Sequence, residues 1–293
     1  MSGRLLVVGR SGQVARELQK LTPPQGFILE AWGRDRLDLS DPGMSASLIA
    51  SYEPTVVINA AAYTMVDKAE TEPSAAFVIN RDSPAAISRM CESRGIPYVH
   101  ISTDYVFDGD KPAPYVETDR RNPKTVYGRS KSEGEDEVIA SGASAAIIRT
   151  SWVYAAHGTN FLRTMLRLAE SHDDLRVVAD QMGRPTWAKD IAAAVLDVAI
   201  RAQAGDRDAL GVFHYSGAGD ASWADFAHTI FATASRFNIK TARVKRITTA
   251  EYPTAARRPA NSRLDTTKIE QQLGIIPRDW REGCQLCLSE LLD

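Results

Sequence analysis

The stretch Arg4-Leu5-Leu6-Val7-Val8-Gly9-Arg10-Ser11-Gly12-Gln13-Val14-Ala15 decides the fold. Its apolar run ends at Gly9, and Gln13–Leu21 then reads as a helix. A strand passing through G-x-x-G-x-x-A into a helix is the entry of a dinucleotide-binding unit. The glycines permit a tight turn and close approach of a pyrophosphate, and the helix start offers free N–H groups and a partial positive charge. Ala15 stands where a third glycine is usual and is still small enough for close helix–strand packing. Many plain turns share so short a pattern, so its weight comes from its position after the first strand of an α/β chain.

The alternation continues outward from this unit. Phe27–Trp32, Thr55–Asn59, Tyr98–Ser102 and Ala145–Thr150 read as strands. Met44–Tyr52, Glu72–Arg94 and Val126–Ala140 read as helices between them, the second with a break near Pro84. Apolar strands separated by helices imply a parallel sheet covered on both faces. The expected fold class is α/β: a Rossmann-like doubly wound parallel sheet, with its ligand crevice beyond the strands' carboxyl ends. After Thr150 the rhythm is less regular. Asn160–Ser171, Lys189–Ala202 and Ser222–Phe237 read as helices, with Ser222 as an N-cap, and Val212–Ser216 as a short strand. Residues 1–149, completed by 187–205, are expected to form the dinucleotide-binding domain. Residues 150–186 and 206–293 are expected to form a smaller mixed α/β lobe for substrate.

Composition narrows the class without naming a function. The 293 residues are 44% hydrophobic and 25% charged, which excludes wholesale disorder. Lys plus Arg is 35 and Asp plus Glu is 37, a net charge of −2, so no footprint for nucleic acid or an anionic membrane is expected. No apolar stretch approaches the ~18 residues of a membrane span. With no signal-like segment and three cysteines, a cytoplasmic protein is expected. Cys284 and Cys287 read as small buried thiols on a helix over Glu282–Leu292, with a redox pair or half a zinc site as alternatives. The five histidines are scattered, none at i, i+4 with another, and no metal is expected.

The tip of the second strand, Ala31-Trp32-Gly33-Arg34, lacks the carboxylate that commonly binds a ribose 2′-OH. Arg34, with Arg10 from the glycine turn, suits a 2′-phosphate, so NADPH is expected over NADH. Asp35 competes for this role, and solvated surface charge is the plainer reading of both arginines. Tyr127 and Lys131, four residues apart, share a helix face, and a nearby cation favours an ionised phenol. The fourth strand delivers the Thr103 hydroxyl to the crevice mouth. Thr103, Tyr127 and Lys131 thus compose a carbonyl-reducing constellation. The plainer readings are a solvated helix face and a hydroxyl that caps a turn.

The glycine turn, Asn59–Thr64, Ser102–Phe107 and Y-x-x-x-K resemble the extended short-chain dehydrogenase/reductases. Further stretches are similar to the dTDP-4-dehydrorhamnose reductase family within them. They are Val66–Glu70, Arg149–Tyr154, Asn160-Phe161, Asp180-Gln181 with Gly183 and Pro185-Thr186, Tyr252–Thr254 and Arg257–Leu264. The matches run in order from residue 4 to about 290. The resemblance implies NADPH-dependent reduction, with NADH possible, of the C4 ketone of dTDP-4-dehydro-β-L-rhamnose. Thr103 would bond the carbonyl oxygen, Tyr127 would donate the proton, and Lys131 would hold the nicotinamide ribose and bias Tyr127 toward acidity. Gly9, Gly12, Gln13, Val14, Asp38, Leu39, Ala61, Ala62 and Tyr63 match cofactor-binding positions. Asp104 and Trp152 match the sugar pocket, with Tyr105 and Phe107 nearby, and core packing is the plainer reading of Trp152. Asn160 and Arg258 are candidates for the substrate's diphosphate, although an arginine-rich loop is more often simply solvated. Some relatives hold magnesium through carboxylates, but Lys189 stands in that stretch, so no metal is expected. A talose-forming sister enzyme and a non-catalytic regulatory subunit of the methionine adenosyltransferase type remain alternatives. A monomer or homodimer is expected.

Overall fold

The computed structural model describes residues 2–292. β1 (Gly3–Val8) passes through the glycine turn into α1 (Gln13–Lys20), followed by β2 (Phe27–Trp32), α2 (Pro42–Tyr52) and β3 (Val56–Asn59). Asp41 caps α2 by accepting from Met44 N at 3.0 Å, and Pro42 occupies its first turn. Next come α3 (Val66–Ala69), α4 (Pro73–Phe77) and α5 (Ser83–Ser93), then β4 (Tyr98–Thr103), α6 (Val126–Ala140) and β5 (Ala145–Thr150).

The long helix expected over 72–94 is therefore two helices joined by a wide, π-type turn at Val78–Asp82. The widened turn immediately precedes Pro84, whose ring and missing N–H disfavour an ordinary α-helical turn there.

The second half of the chain runs β6 (Val153–Tyr154), α7 (Phe161–Ala169), β7 (Asp174–Val178), β8 (Met182–Gly183), β9 (Thr186–Trp187) and α8 (Ala188–Gln203). It ends with β10 (Gly211–His214), β11 (Ala221–Ser222), α9 (Trp223–Ala234), β12 (Arg243–Ile247), α10 (Thr267–Leu273) and α11 (Trp280–Leu292).

Six parallel strands form the main sheet in the order β10-β5-β4-β3-β1-β2. One face packs on α1 and α8 through Leu5, Val7, Leu18, Ile191 and Val195, and the other packs on α2 and α5 through Leu6, Ile49 and Ile87. The strand order reverses at β1 and β3, which puts the crevice at their carboxyl ends. Gly211–His214, placed with the second lobe by the sequence boundaries, instead pairs with β5 and occupies the edge of this sheet. It satisfies the outer amides of β5, and Ile269 and Leu273 of α10 join the same core.

A second core gathers Leu162, Met165, Phe226, Ile230, Trp280 and Leu288 from α7, α9 and α11. The parallel pair β7–β12 borders it. Cys284 and Cys287 lie within it as free, fully buried thiols, and burial pushes the Cys284 thiol up to about 12. Neither is a reactive thiolate. Among the described residues no helix is long and apolar enough to cross a membrane.

Candidate active site

The crevice begins where β1 ends. Gly9 has φ +105°, and a Cβ there would lie 3.2 Å from both Cβ and N of Ala61, so only glycine lets the turns after β1 and β3 meet. Gly12 is the N-cap of α1. No side chain bonds the amides of that first turn, and no acidic residue stands there. This leaves a helix N-terminus suited to a pyrophosphate.

Gln13 is tied to the second lobe, accepting from Asn160 Nδ2 at 2.9 Å. The Asn160 amide also donates to Ala155 O and His157 O, and its Oδ1 caps α7. All its polar atoms are engaged, so Asn160, a candidate for the substrate's diphosphate, is a structural cap in this state.

At the tip of β2, Arg10 pairs with Asp35 at 3.2 Å and Arg34 with Asp38 at 3.4 Å, all four side chains largely exposed. The arginines lie next to the ribose end of such a crevice, and their present partners are weak surface pairs. Leu39 is buried, and its carbonyl accepts from Ser83 Oγ at 2.5 Å.

Ala61 N donates to Asn59 Oδ1 at 3.2 Å, and Tyr63 N donates to Asn80 Oδ1 at 2.8 Å. Asn80 Nδ2 returns to Tyr63 O and reaches Ser130 Oγ, each at 3.0 Å. The wide turn before α5 thus fixes Ala61–Tyr63 beside the helix that carries Tyr127. Sequence reading missed Asn80, which belongs to no local pattern.

Thr103 ends β4, and Tyr127 lies in the first turn of α6, which Thr125 caps through Gly128 N at 3.0 Å. A Cβ on Gly128 would stand 2.3 Å from Tyr105 O. Tyr127-Gly128 therefore lets α6 press against the loop after β4 and sets the phenol beside the Thr103 hydroxyl. Burial pushes the Tyr127 phenol up to about 12, opposed by Thr103 and reinforced by Asp104. Tyr105 stands edge-on to Tyr127, with ring centres 5.4 Å apart.

Lys131 is 1% exposed, donating to Ile101 O at 2.7 Å and lying 3.1 Å from His100 Nε2. Burial lowers its ammonium to about 8, with Glu135 pulling it back up. With burial holding its pKa up, the phenol at Tyr127 stays protonated at neutral pH.

Burial raises the Asp104 carboxyl to about 6 against the hydroxyls of Ser262 and Thr103. Its Oδ1 accepts from Thr103 Oγ1 at 3.0 Å, and its Oδ2 is buried without a hydrogen-bond partner. Arg258 donates to Asp67, whose other oxygen accepts from Ala256 N at 3.0 Å, so this arginine is held by a carboxylate near Tyr105.

Trp152 is half-buried with φ +48°, and stacks on Trp223 at 3.6 Å and 9°. A Cβ on Gly183 would lie 2.2 Å from its ring, so glycine provides the floor. Trp223, which sequence reading passed over, donates to Gln181 Oε1 at 3.2 Å. Phe107 departs from its expected place in the sugar pocket. It is 3% exposed and stacked on Tyr115 at 4.2 Å in a separate apolar cluster, which leaves no ring face for a ligand. No group of His, Cys, Asp or Glu among the described residues is arranged to hold a metal.

The family profile described as "RmlD substrate binding domain" matches residues 3–292. The chain is 47% identical over 290 residues to dTDP-4-dehydrorhamnose reductase of Sinorhizobium fredii, covering 99% of this chain and 98% of that one. A dTDP-4-dehydrorhamnose reductase of Clostridium acetobutylicum superposes with TM-score 0.91 at 37% identity, covering 98% and 99%. The enzyme of the same name from Bacillus anthracis, solved in complex with NADP, gives TM-score 0.91 at 32% identity, covering 99% and 100%.

Proposed function

The chain belongs to the dTDP-4-dehydrorhamnose reductase family, and from that premise we propose that its crevice reduces the C4 ketone of dTDP-4-dehydro-β-L-rhamnose, giving dTDP-β-L-rhamnose with NADPH as cofactor. It is an oxidoreductase of dTDP-rhamnose biosynthesis. The observation that carries the mechanism is the buried, protonated Tyr127 phenol beside the Thr103 hydroxyl at the mouth of β4.

The residues present fit a nicotinamide dinucleotide. The uncapped start of α1 and the Gly9–Gly12 turn suit its pyrophosphate, Arg10 and Arg34 its 2′-phosphate, and Lys131 its ribose. When bound, the nicotinamide supplies the hydride.

Tyr127 holds a proton at its phenolic oxygen and delivers it to the oxygen of the substrate ketone. Thr103 turns its single hydroxyl hydrogen from Asp104 onto that same oxygen, where negative charge develops. Asp104 Oδ2, buried and unpartnered, accepts from a sugar hydroxyl. The Trp152–Trp223 stack presents a flat apolar wall to the sugar ring. Arg258 leaves Asp67 for the substrate's diphosphate, for which its planar fork is better matched.

Mixing the protein with NADPH and the 4-keto sugar nucleotide is expected to consume the absorbance of the reduced nicotinamide. Tyr127→Phe is expected to slow turnover by a factor of about 100 or more. Equal rates for the two proteins would remove Tyr127 from the mechanism, and NMR of the product reads its C4 configuration.

A further inference from the structure

The side chains that hold Lys131 form a buried polar run that the mechanism above leaves unused. On β4, Tyr98, His100 and Ser102 point to one face by strand alternation. His100 is 0% exposed and sets Nε2 at 3.1 Å from Lys131 Nζ. Its other nitrogen, Nδ1, lies 3.4 Å from Tyr98 Oη and 3.3 Å from Asn59 Nδ2. Asn59 Nδ2 donates to Tyr98 Oη at 3.0 Å, while Asn59 Oδ1 accepts from Ala61 N. The run therefore joins Lys131 to the turn after β3, where the cofactor segment begins.

An ammonium can only donate. With Lys131 charged, His100 Nε2 must be the bare nitrogen and Nδ1 must carry the ring hydrogen. Two of the three ammonium hydrogens are then committed, one to Ile101 O and one to His100 Nε2. The third is left in a single direction.

The other ionisable groups around this amine are few. Tyr127 and Glu135 lie on α6, and Glu135 is already bonded by Arg149 of β5, by Arg121 and by Ser102. Beyond His100 stand Tyr98 and, from α5, Cys91. Among the described residues no other side chain bonds the side of the amine that His100 occupies.

We propose that His100 is a positioning residue for Lys131: through Nε2 it aims the remaining N–H of the buried amine into the crevice. This rests on the reading of Lys131 as the lysine that meets the cofactor ribose and supports Tyr127. A histidine suits the place because a neutral ring accepts on one side while its other nitrogen bonds Tyr98. A carboxylate there would form an ion pair that raises the lysine's pKa and holds its charge at that side.

The first test reads the hydrogen bond directly. Nitrogen-15 NMR of the full-length protein is expected to show His100 with a bare Nε2 and a protonated Nδ1 from about pH 6 to 8. Loss of the signal in His100→Gln assigns it. Lys131→Met is expected to move the Nε2 resonance.

The second test reads function. His100→Leu is expected to lower kcat about tenfold or more with little change in KM for the sugar nucleotide. It is also expected to displace the pH profile. His100→Gln, which places an oxygen acceptor where Nε2 stood, is expected to recover most of the rate. A protonated Nε2 in the wild type overturns the proposal, as does a folded His100→Leu with wild-type kcat and pH profile, or a His100→Gln no better than His100→Leu. If His100→Leu does not fold, the nitrogen spectrum decides alone. Full turnover by Lys131→Met would instead sink the reading of the lysine, while the spectrum still reports the bond.

Discussion

At the scale of single residues, Lys131 shows how the site works against the fold. Its ammonium is enclosed between β4 and α6, and burial draws its pKa from 10.5 to about 8 even with Glu135 opposing the shift. In the unfolded chain the same amine titrates near its ordinary value. Between those two values the unfolded state binds more protons, so stability must rise with pH across that window. The cost of the buried charge is fully present below pH 8 and has vanished above 10.5. Its size is on the order of 3 kcal/mol. In urea melts, the stability of the wild type relative to Lys131→Met is expected to climb by about that amount between pH 8 and 10.5. A difference that stays flat across this window would show that the lysine titrates as if exposed.

At the scale of elements, the decisive junction is the wide turn at Val78–Asp82 against α6. Asn80 makes three side-chain hydrogen bonds unavailable to a helical residue that faces solvent: it holds both the N–H and the carbonyl of Tyr63, and it reaches Ser130. Asn80→Ala strands buried backbone groups. It is expected to cost about 2–3 kcal/mol in denaturant melts and to raise KM for the cofactor, because Ala61–Tyr63 lose their anchor. An unchanged melting midpoint would refute this.

Such junctions separate what could be read in the chain from what could not. The bounds of β2, β5 and α6 are readable because each is an uninterrupted pattern between turn residues. Thr103, Tyr127 and Lys131 are readable because a strand end and a helical spacing locate them. Asn80 meets partners 17 and 50 positions away, and Trp223 meets Trp152 only once α9 has packed, so no local periodicity reveals either. β7 and β12 escaped for another reason. Each spans five residues in which charges interrupt the apolar positions, and ion pairs such as Arg243–Asp174 and Lys245–Asp174 hold them together.

At the scale of the molecule, polar ties add to a shared core in joining α1 to the second lobe, since Val14, Ala15 and Leu18 pack in one cluster with Ala155. Gln13 meets Asn160, and Glu17 of the same helix meets His157 Nε2 at 2.5 Å. Lys20, at the end of α1, bridges Glu17 and Glu290 of α11. Three successive positions on one face of α1 therefore touch the loop before α7 and the last helix. A ligand that settles on the N-terminus of α1 steadies Gln13, and Gln13 steadies the cap of α7. Binding at the dinucleotide turn is thus expected to reach the start of α7 through the Gln13–Asn160 bond, alongside the Glu17–His157 pair and the packing of Ala155. Hydrogen exchange is the measurement that resolves this, because it reports local opening segment by segment. NADPH is expected to slow exchange in the first turn of α1 and also across 155–169. In Asn160→Ala, protection at α1 should persist while the added protection across 155–169 disappears. If that segment is protected equally in both proteins, the tie through Gln13 is not the route, and the Glu17–His157 pair and the packing of Ala155 on α1 carry the coupling instead.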